Sequence, residues 1–182
     1  MTTVATHRSP VELGTERLRL VAATPSLVDA EMQGPCVLAR HLEADVPQDW
    51  PPPLNDESSI RWLADFFAEH PSAIGWGLWY FLKPGDGEQL EAIGNGGFKG
   101  IPDDRGTVEI GYSIMEPHQR RGYAPEAVRA LIDWAFSHGE VQRIIAHTLV
   151  GLRPSIRVLE KCGFVYSGKG TEEGVIAYEL GK

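Results

Sequence analysis

The chain has 182 residues and a mass of 20.0 kDa, a length that suits a single domain. Hydrophobic residues make up 42% of the sequence, close to the average for globular proteins, which excludes a mainly disordered chain. A net charge of −8 disfavours general nucleic-acid binding, because proteins that neutralise many phosphates carry an excess of lysine and arginine.

No segment of the sequence has the composition of an export signal or a membrane span. The first eight residues contain no apolar run, and the most apolar stretch, residues 73–82, is far shorter than the roughly 20 residues needed to cross a bilayer. The two cysteines, Cys36 and Cys162, lie far apart, which indicates a reducing compartment rather than a disulfide framework. We therefore predict a soluble, cytoplasmic protein that makes no membrane contact.

The first third of the chain predicts one strand and two helices. Residues 1–14 show no periodic pattern and are predicted to form a flexible segment ahead of a single domain over residues 15–182. The alternation of arginine and leucine over residues 17–21 predicts a strand with one buried face. Apolar residues at helical spacing predict helices over residues 25–32 and 55–70.

Three strands are predicted next, over residues 76–82, 91–98 and 108–115. Short turns rich in glycine, proline and aspartate separate them. Connections of that length join antiparallel neighbours, so this part of the sheet is predicted to be a meander. The glycines of the second strand indicate a bulge or a close backbone approach.

The last third of the chain mixes helices and strands. An amphipathic helix is predicted over residues 125–138, a buried strand over 143–150 and a short helix over 155–161. Two final strands are predicted over residues 164–167 and 175–180, joined by a glycine-rich acidic loop. The complete pattern of seven strands and four helices predicts a mixed sheet with helices, of either the α+β or the α/β class.

The loop that precedes the helix at Pro125 has the composition of an anion site. A loop that opens a helix directs unpaired backbone N–H groups and the positive end of the helix dipole at one point, which suits a phosphate. Gly122 permits close approach of a ligand, and Arg120 and Arg121 add local positive charge. The alternative is an ordinary surface turn with two solvated arginines. Neither the Walker phosphate-binding sequence nor the dinucleotide-binding glycine pattern occurs in the chain.

Several segments, in order along the chain, resemble the GNAT N-acetyltransferases. The pattern Gln119-x-x-Gly122-x-Ala124 is similar to the Gln/Arg-x-x-Gly-x-Gly/Ala signature of that family and lies, as there, between a strand and the following helix. The run of residues 155–164 resembles a later motif of the family. Residues 15–20 resemble the branch that contains the ribosomal-protein N-terminal-alanine acetyltransferases.

The resemblance implies the α+β class and a GNAT fold, in which about four helices flank both faces of a mixed, mostly antiparallel sheet of seven strands in α/β/α layers. It also implies transfer of an acetyl group from acetyl-CoA to a primary amine by direct attack within a ternary complex. The acceptor stays open between a protein N-terminus and a small-molecule amine, and a homodimer is compatible with this branch, in which dimers are common. No histidines stand at metal-binding spacing, so we expect no metal cofactor, and we expect no nucleic-acid partner.

For the donor, the resemblance implies that backbone N–H groups of the loop hold the CoA pyrophosphate and that the preceding strand pairs with the pantetheine arm. The loop residues are Gln119, Arg120, Arg121, Gly122, Tyr123 and Ala124, and the strand residues are Ser113, Ile114 and Met115. One of these strand N–H groups would polarise the thioester carbonyl, where negative charge develops in the transition state.

Two residues are candidates for proton transfer. Glu109 stands at the strand position of the carboxylate that well-studied members of the family use as a base, and it would act directly or through a water molecule. The alternative is an exposed carboxylate at a strand end. Ser155 matches a serine that is proposed in this branch to protonate the departing thiolate. Its alternative role is the N-cap of the helix over residues 155–161.

Two departures from the family pattern lie at the thiol end of the site. Leu159 stands where many members have a tyrosine, and Leu152 stands where the branch usually has an asparagine. A general acid is not obligatory, because a thiol with a pKa of about 8.5 is a fair leaving group near neutral pH. The departures nevertheless keep a second function open, that of a GNAT-fold protein that binds acyl-CoA as a sensor or interaction module without catalysis.

Overall fold

The computed structural model describes residues 11–85, 87 and 89–182. These residues form nine strands and five α-helices. The strands are β1 (Glu12–Gly14), β2 (Arg19–Ala22), β3 (Ala44–Asp45), β4 (Leu78–Pro84), β5 (Leu90–Phe98), β6 (Thr107–Ile114), β7 (Arg143–Leu149), β8 (Val165–Lys169) and β9 (Val175–Gly181). The helices are α1 (Pro25–Met32), α2 (Pro35–Leu42), α3 (Glu57–Glu69), α4 (Tyr123–Ser137) and α5 (Arg153–Lys161), and a short 3-10 helix spans Glu116–His118.

All seven predicted strands and all four predicted helices are present, which confirms the α+β class. The structure adds β1, β3 and α2 to the prediction, and α4 and α5 each begin two residues earlier than predicted. The predicted flexible segment over residues 1–14 needs correction at its end, because Leu13 of β1 pairs with Leu20 of β2 and so covers the edge of the sheet. Residues 1–10 lie outside the described residues.

A single mixed sheet connects the strands in the order β1-β2-β4-β5-β6-β7-β9-β8, and the short β3 pairs with β5 beside this path. Along the path every neighbouring pair is antiparallel except β6 and β7, which run parallel. The predicted meander of β4, β5 and β6 is confirmed, and a register shift between Phe81 and Leu82 forms an irregularity where β4 meets β5.

Helices cover both faces of the sheet. Successive residues of a strand point to opposite faces, and neighbouring residues of β4 show which helix lies on each side. The centre of the Trp79 ring lies 5.3 Å from the centre of the Trp134 ring in α4. The hydroxyl of Tyr80, on the opposite face, donates to Oε2 of Glu31 in α1 at 2.6 Å. The molecule therefore has the predicted α/β/α layers.

Helix α4 packs on the sheet through an apolar stripe. Its buried residues recur at the spacing of one helical face: Ala127, Val128, Leu131, Ile132 and Ala135. This stripe fixes the direction in which the N-terminal end of α4 points, and that end carries the predicted anion loop. None of the helices in the described part of the chain is long and apolar enough to cross a membrane.

Candidate active site

The parallel strands β6 and β7 separate part-way along their length. They pair over three residues of each strand, ending at Glu109 and Ile145. Farther along, β6 continues to pair with β5 as far as Ile114, while β7 continues to pair with β9 as far as Leu149. A gap therefore opens between the C-terminal halves of β6 and β7, and Glu109 stands at the level where it begins.

Alternate residues of β6 turn their polar backbone groups into this gap. The N–H of Met115, the residue that follows β6, donates to the carbonyl oxygen of Ile93 in β5. In an antiparallel pair every second residue faces the partner strand, so Ile114 and Tyr112 face away from β5. The side-chain amide of Gln119 donates to the carbonyl oxygen of Ile114 at 3.0 Å, as this orientation requires.

This alternation corrects part of the expectation for the pantetheine arm. Of the three strand residues expected to meet it, Ile114 turns its N–H toward the gap. Both backbone groups of Met115 are already bonded, the N–H to Ile93 and the carbonyl oxygen to the N–H of His118, each at 2.9 Å. Ser113 faces β5 by the same alternation. Ser113 and Met115 therefore do not turn their N–H groups into the gap, because the register with β5 engages them on the other side.

The loop over residues 119–124 presents a row of backbone donors. Arg120 and Gly122 have φ values of 59° and 86°, which turn the chain tightly ahead of α4. Within the described residues, the N–H groups of residues 120–124 have no hydrogen-bond acceptor. They lie at the N-terminal end of α4, where the helix dipole favours negative charge. The loop thus has the donors that a bound phosphate group needs.

Arg17, between β1 and β2, contacts two residues of this loop. Its Nη1 donates to the carbonyl oxygen of Arg121 at 3.0 Å, and its guanidinium lies 4.7 Å from the centre of the Tyr123 ring. Its Nη2 also lies 2.6 Å from Oε2 of Glu126, which accepts a further hydrogen bond on Oε1 from Thr15 at 2.6 Å. Burial raises the pKa of Glu126, but the bonds from Thr15 and Arg17 outweigh burial and hold that pKa below its ordinary value.

Glu109 is held between two basic side chains. Its Oε1 accepts a hydrogen bond from Nζ of Lys99 and lies 3.0 Å from Nδ1 of His147. Burial raises the pKa of the Glu109 carboxyl, but the bonds and charges of Lys99 and His147 outweigh burial and lower that pKa. Only 22% of the side chain is exposed, so Glu109 is not the free strand-end carboxylate of the alternative interpretation.

The proline-rich loop between β3 and α3 lies over the same face of the sheet. The register of β4, β5 and β6 places Ser113 on the same face of the sheet as Tyr80. Oγ of Ser113 donates to the carbonyl oxygen of Pro53 in this loop at 2.6 Å. The indole N–H of Trp50 donates to Oε1 of Glu31 at 2.8 Å. Burial raises the pKa of Glu31, against the lowering effect of the bonds from Tyr80 and Trp50. Trp50 is itself buried, so its ring does not form an exposed surface of the site.

Ser155 meets a tyrosine on the opposite face of β6. The hydroxyl of Tyr112 donates to the carbonyl oxygen of Ser155 at 3.0 Å and lies 3.2 Å from its Oγ. Helix α5 starts at Arg153 with Leu152 as its N-cap, so Ser155 is not the N-cap of the alternative interpretation. Burial raises the pKa of Tyr112 to about 12, despite the lowering effect of the bond to Ser155. Leu159, at the family's tyrosine position, is fully buried in the core.

The gap therefore has a different kind of proton-transfer group on each side. Because side chains alternate along β6, Glu109 and Tyr112 point to opposite faces. A carboxylate and an imidazole lie on one side, and two hydroxyls lie on the other. Among the described residues, no cluster of three metal-ligating side chains is present. The arrangement suits a reaction that removes a proton on one side of a bound group and supplies one on the other.

Sequence reasoning missed four contributors to this site, one of which is Tyr112 beside Ser155. Lys99 and His147 converge on Glu109 from neighbouring strands, and Arg17 reaches the loop from the N-terminal hairpin. No local signal marks Lys99 or His147, because their proximity depends on strand register. Arg17 lies in one of the segments that carry the family resemblance, which is a signal that could have identified it.

Comparisons with known proteins agree with the geometry. Residues 17–165 match the acetyltransferase (GNAT) domain family. The chain is 32% identical over 164 residues to YjdG of Bacillus subtilis, an uncharacterized N-acetyltransferase, and the match covers 89% of this chain and 94% of that protein.

Two solved structures are similar in fold. One is the ribosomal-protein-S5-alanine acetyltransferase of Vibrio fischeri, with a TM-score of 0.62 and 20% identity over 94% of this chain and 96% of that chain. The other is a ribosomal L7/L12 alpha-N-protein acetyltransferase in complex with coenzyme A, with a TM-score of 0.65 and 21% identity over 94% of this chain and 98% of that chain.

Proposed function

The chain belongs to the GNAT family of acetyl-CoA-dependent N-acetyltransferases, and we propose that it transfers the acetyl group directly to a primary amine within a ternary complex. The observation that carries the proposal is the gap between β6 and β7, which has proton-transfer groups on both sides and an anion loop at its end. A direct transfer needs both substrates at one point, and the gap lies between the carboxylate on one face of the sheet and the hydroxyls on the other.

The proposed donor site uses backbone groups of this chain. The free N–H groups of residues 120–124 would hold the pyrophosphate of CoA, and the positive φ of Gly122 lets the phosphate approach the backbone closely. The N–H of Ile114 faces the gap, where it would meet the pantetheine arm or polarise the thioester carbonyl. Acetyl-CoA supplies the activated acyl group as a thioester.

The proposed acceptor is a primary amine that arrives as an ammonium ion. Its side of the gap carries the Glu109 carboxylate, whose lowered pKa keeps it negatively charged at neutral pH. This negative charge and the net charge of −8 favour a cationic acceptor. A protein N-terminus and a small-molecule amine both meet this description, and the ribosomal-protein acetyltransferases among the structural neighbours favour the first.

A second candidate function is an acyl-CoA-binding module without catalysis. Leu159 favours this binding module. It stands where many family members have a tyrosine, and its fully buried side chain has no hydroxyl that could donate a proton. The hydroxyls of Tyr112 and Ser155 favour the enzyme, because they stand on the side of the gap where a departing thiolate would need a proton.

We also propose that residues 12–182, which include β1, form a single domain that acts in the cytoplasm as a homodimer. The large apolar side chains of Leu149, Val165 and Tyr166 are 50%, 61% and 58% exposed on the β7–β9–β8 end of the sheet, which supports association through that end. Sedimentation equilibrium measures the assembly, and a monomer across the micromolar range would contradict the homodimer.

The central experiment measures thiol release from acetyl-CoA with a panel of amines. The panel contains peptides with N-terminal alanine or serine, spermidine, an aminoglycoside and free amino acids. We expect release with at least one amine and an acetylated product by mass spectrometry. Stabilisation by CoA without release from any amine would favour the binding module. No thermal shift with millimolar acetyl-CoA would contradict the donor site, since ligand at about 100 times its Kd stabilises by ~2.7 kcal/mol.

A further inference from the structure

We infer that His147 is the residue that accepts the proton of the acceptor ammonium ion, and that Glu109 is the positioning residue that orients its ring. The inference deepens the proposed function and rests on it. It assigns to the Nε2 atom of His147 a role that the family resemblance suggested for the Glu109 carboxylate.

The position of His147 follows from the strand geometry. Glu109 and Ile145 form the last pair between β6 and β7. His147 is two residues farther along β7 and points to the same face, because side chains alternate along a strand. It therefore stands at the edge of the gap, on the side away from Tyr112. Its side chain is 28% exposed, which leaves the ring open to an incoming amine.

The contact between the two residues favours one tautomer of the ring. The Nδ1 atom of His147 lies 3.0 Å from Oε1 of Glu109. A bare Nδ1 would set its electron pair against an ionised carboxylate oxygen at this distance, whereas a protonated Nδ1 is attracted to it, so the contact favours the proton on Nδ1. In the neutral ring, Nε2 then holds a free electron pair. A carboxylate that orients a histidine in this way also stabilises the imidazolium ion once the ring is protonated.

Glu109 itself is a poor proton acceptor in this setting. Burial raises its pKa, but Lys99 and His147 outweigh burial and lower it, so a proton placed on Glu109 is lost readily. General bases work best when they change protonation state near the working pH, and imidazole is the side chain that does so. The lowered pKa of Glu109 suits a permanent negative charge.

On this face of the sheet Glu31 is bonded to Tyr80 and Trp50, and the strands around the gap carry few other charged groups within the described residues. Lys99 follows β5 and contacts Glu109. On β7 and β9, Arg143 and Glu179 form a pair with Nη1 3.6 Å from Oε2, and Glu179 stands opposite Ile145. Lys99 and Arg143 are each paired with a carboxylate, that of Glu109 and that of Glu179. Of these two carboxylates, Glu109 is the one that contacts the His147 ring.

Atoms and charge are conserved in the proposed step. The ammonium ion gives one proton to Nε2 of His147, and the freed electron pair of the amine nitrogen forms a bond to the thioester carbon. The carbonyl π electrons move to oxygen and return as the carbon–sulfur bond breaks, and that bond's electron pair leaves with the thiolate. The nitrogen loses a second proton and the thiolate gains one. The imidazolium returns its proton to water, so the net products are the amide, the thiol and one proton.

The first test determines the tautomer of the His147 ring directly and needs no substrate. Two-dimensional NMR of the ¹⁵N-labelled full-length chain distinguishes the two neutral tautomers of histidine, and His147→Asn identifies the signals of this ring. We expect a proton on Nδ1 and a bare Nε2 at pH 8, and a loss of this preference in Glu109→Gln. A proton on Nε2 at that pH would overturn the inference.

The second test compares three variants with spermidine and with a peptide that has an N-terminal serine. His147→Asn keeps an N–H near Glu109 but removes Nε2, so we expect kcat to fall by ~10²–10⁴-fold with the thermal shift by CoA unchanged. We expect Glu109→Gln to lower kcat less, by about tenfold. His41→Asn is the matched control, an exposed histidine on α2 whose ring contacts Val37, and it should retain wild-type kcat.

The pH profile separates the outcomes. We expect wild-type kcat/KM to fall toward acid and this fall to disappear in His147→Asn. A larger loss in Glu109→Gln than in His147→Asn would overturn the inference and make Glu109 the base, with the proposed function intact. Absence of thiol release by the wild-type protein, with CoA still bound, would overturn the proposed function and the inference together.

Discussion

Arg17 and Glu126 join the N-terminal hairpin to the first turn of α4, with Nη2 of the arginine 2.6 Å from Oε2 of the glutamate. The same guanidinium donates to the carbonyl oxygen of Arg121 and lies over the ring of Tyr123. Both of these residues belong to the anion loop, so the hairpin holds the loop in place before a ligand arrives. A preorganised loop loses less conformational entropy on binding.

We predict that Arg17→Ala weakens binding of CoA about fivefold. The variant removes contacts worth about 1 kcal/mol, because the arginine is partly open to solvent, and 1.4 kcal/mol corresponds to a tenfold change in Kd. Arg19→Ala is the control, since Arg19 pairs with Glu12 in the same hairpin and makes no contact with the loop. Isothermal titration with CoA measures both, and equal Kd values for the two variants would contradict the role of Arg17.

We predict that Gly122→Asn weakens binding of CoA at least tenfold while it destabilises the fold only slightly. Asparagine tolerates a positive φ better than other non-glycine residues, so the backbone can keep its φ of 86°. The new side chain would obstruct the approach of a phosphate, and its Cβ would lie 3.2 Å from Nη2 of Arg17. Gly139→Ala, at the other end of α4 with open space around it, is the control. Unchanged affinity in Gly122→Asn would show that the pyrophosphate binds elsewhere.

Most of the fold could be predicted from the sequence because its elements carry strong periodic patterns. The alternation in β2 and the apolar stripe of α4 are local signals, and both elements begin within two residues of their predicted starts. The short strands β1 and β3 carry too few residues for a pattern and depend on a neighbouring strand for their hydrogen bonds. Helix α2 begins with proline after glycine and buries Leu38 and Leu42, a signal that the sequence did contain.

The candidate site likewise has residues that could be predicted from the sequence and residues that could not. The anion loop, Glu109 and Ser155 lie within motifs and could be named from the sequence. Their partners could not, because Tyr112 meets Ser155 and His147 meets Glu109 only through the packing of distant segments. Which backbone groups face the gap depends on the register of β6 with β5, and register is a property of the paired strands rather than of either sequence segment.

We predict that Gly111→Leu blocks the amine and leaves CoA binding intact. Gly111 lies on β6 between Glu109 and Ser113 and on the same face, and a Cβ atom at this position would have no heavy atom within 4 Å. The leucine side chain would therefore enter the acceptor side of the gap. We expect kcat/KM for the amine to fall at least tenfold, about 1.4 kcal/mol, with an unchanged thermal shift by CoA. Gly111→Ala, with a smaller side chain, should lose less, and wild-type kinetics for the leucine variant would contradict this acceptor path.

We predict that Glu126 stabilises the fold at neutral pH and that this contribution disappears in acid. Because the pKa of Glu126 is lower in the folded than in the unfolded chain, its stabilisation is present above the unfolded pKa and is lost as the pH falls through the folded pKa. Glu126→Gln should therefore reduce the free energy of unfolding by about 1 kcal/mol at pH 7, with a much smaller difference at pH 3. Urea unfolding at both values measures this. Glu57→Gln is the control, because the Glu57 side chain is 79% exposed in its pair with Arg61, and an equal loss in both variants would contradict the prediction.

The last prediction concerns the two hydroxyls on the thiol side. The pKa of about 12 keeps Tyr112 protonated throughout the working pH range, so its hydroxyl can donate to Ser155 at any pH at which the enzyme acts. If Ser155 protonates the departing thiolate, Ser155→Ala should lower kcat, but only about tenfold, because a thiol with a pKa of about 8.5 can also leave unassisted. The affinity for CoA should be unchanged, since these hydroxyls do not contact the loop.

Tyr112→Phe removes one hydroxyl and keeps the ring in its packing, so it tests whether the pair works as a unit. We expect a loss in kcat similar to that of Ser155→Ala, and we expect the double variant to lose little more than either single one, because groups that act through one another are not additive. Raising the pH should not restore activity in these variants, since deprotonation of the amine does not replace a proton donor on the thiol side. Losses that multiply in the double variant would show that Tyr112 and Ser155 act separately, and wild-type turnover in Ser155→Ala would remove Ser155 from the proton path.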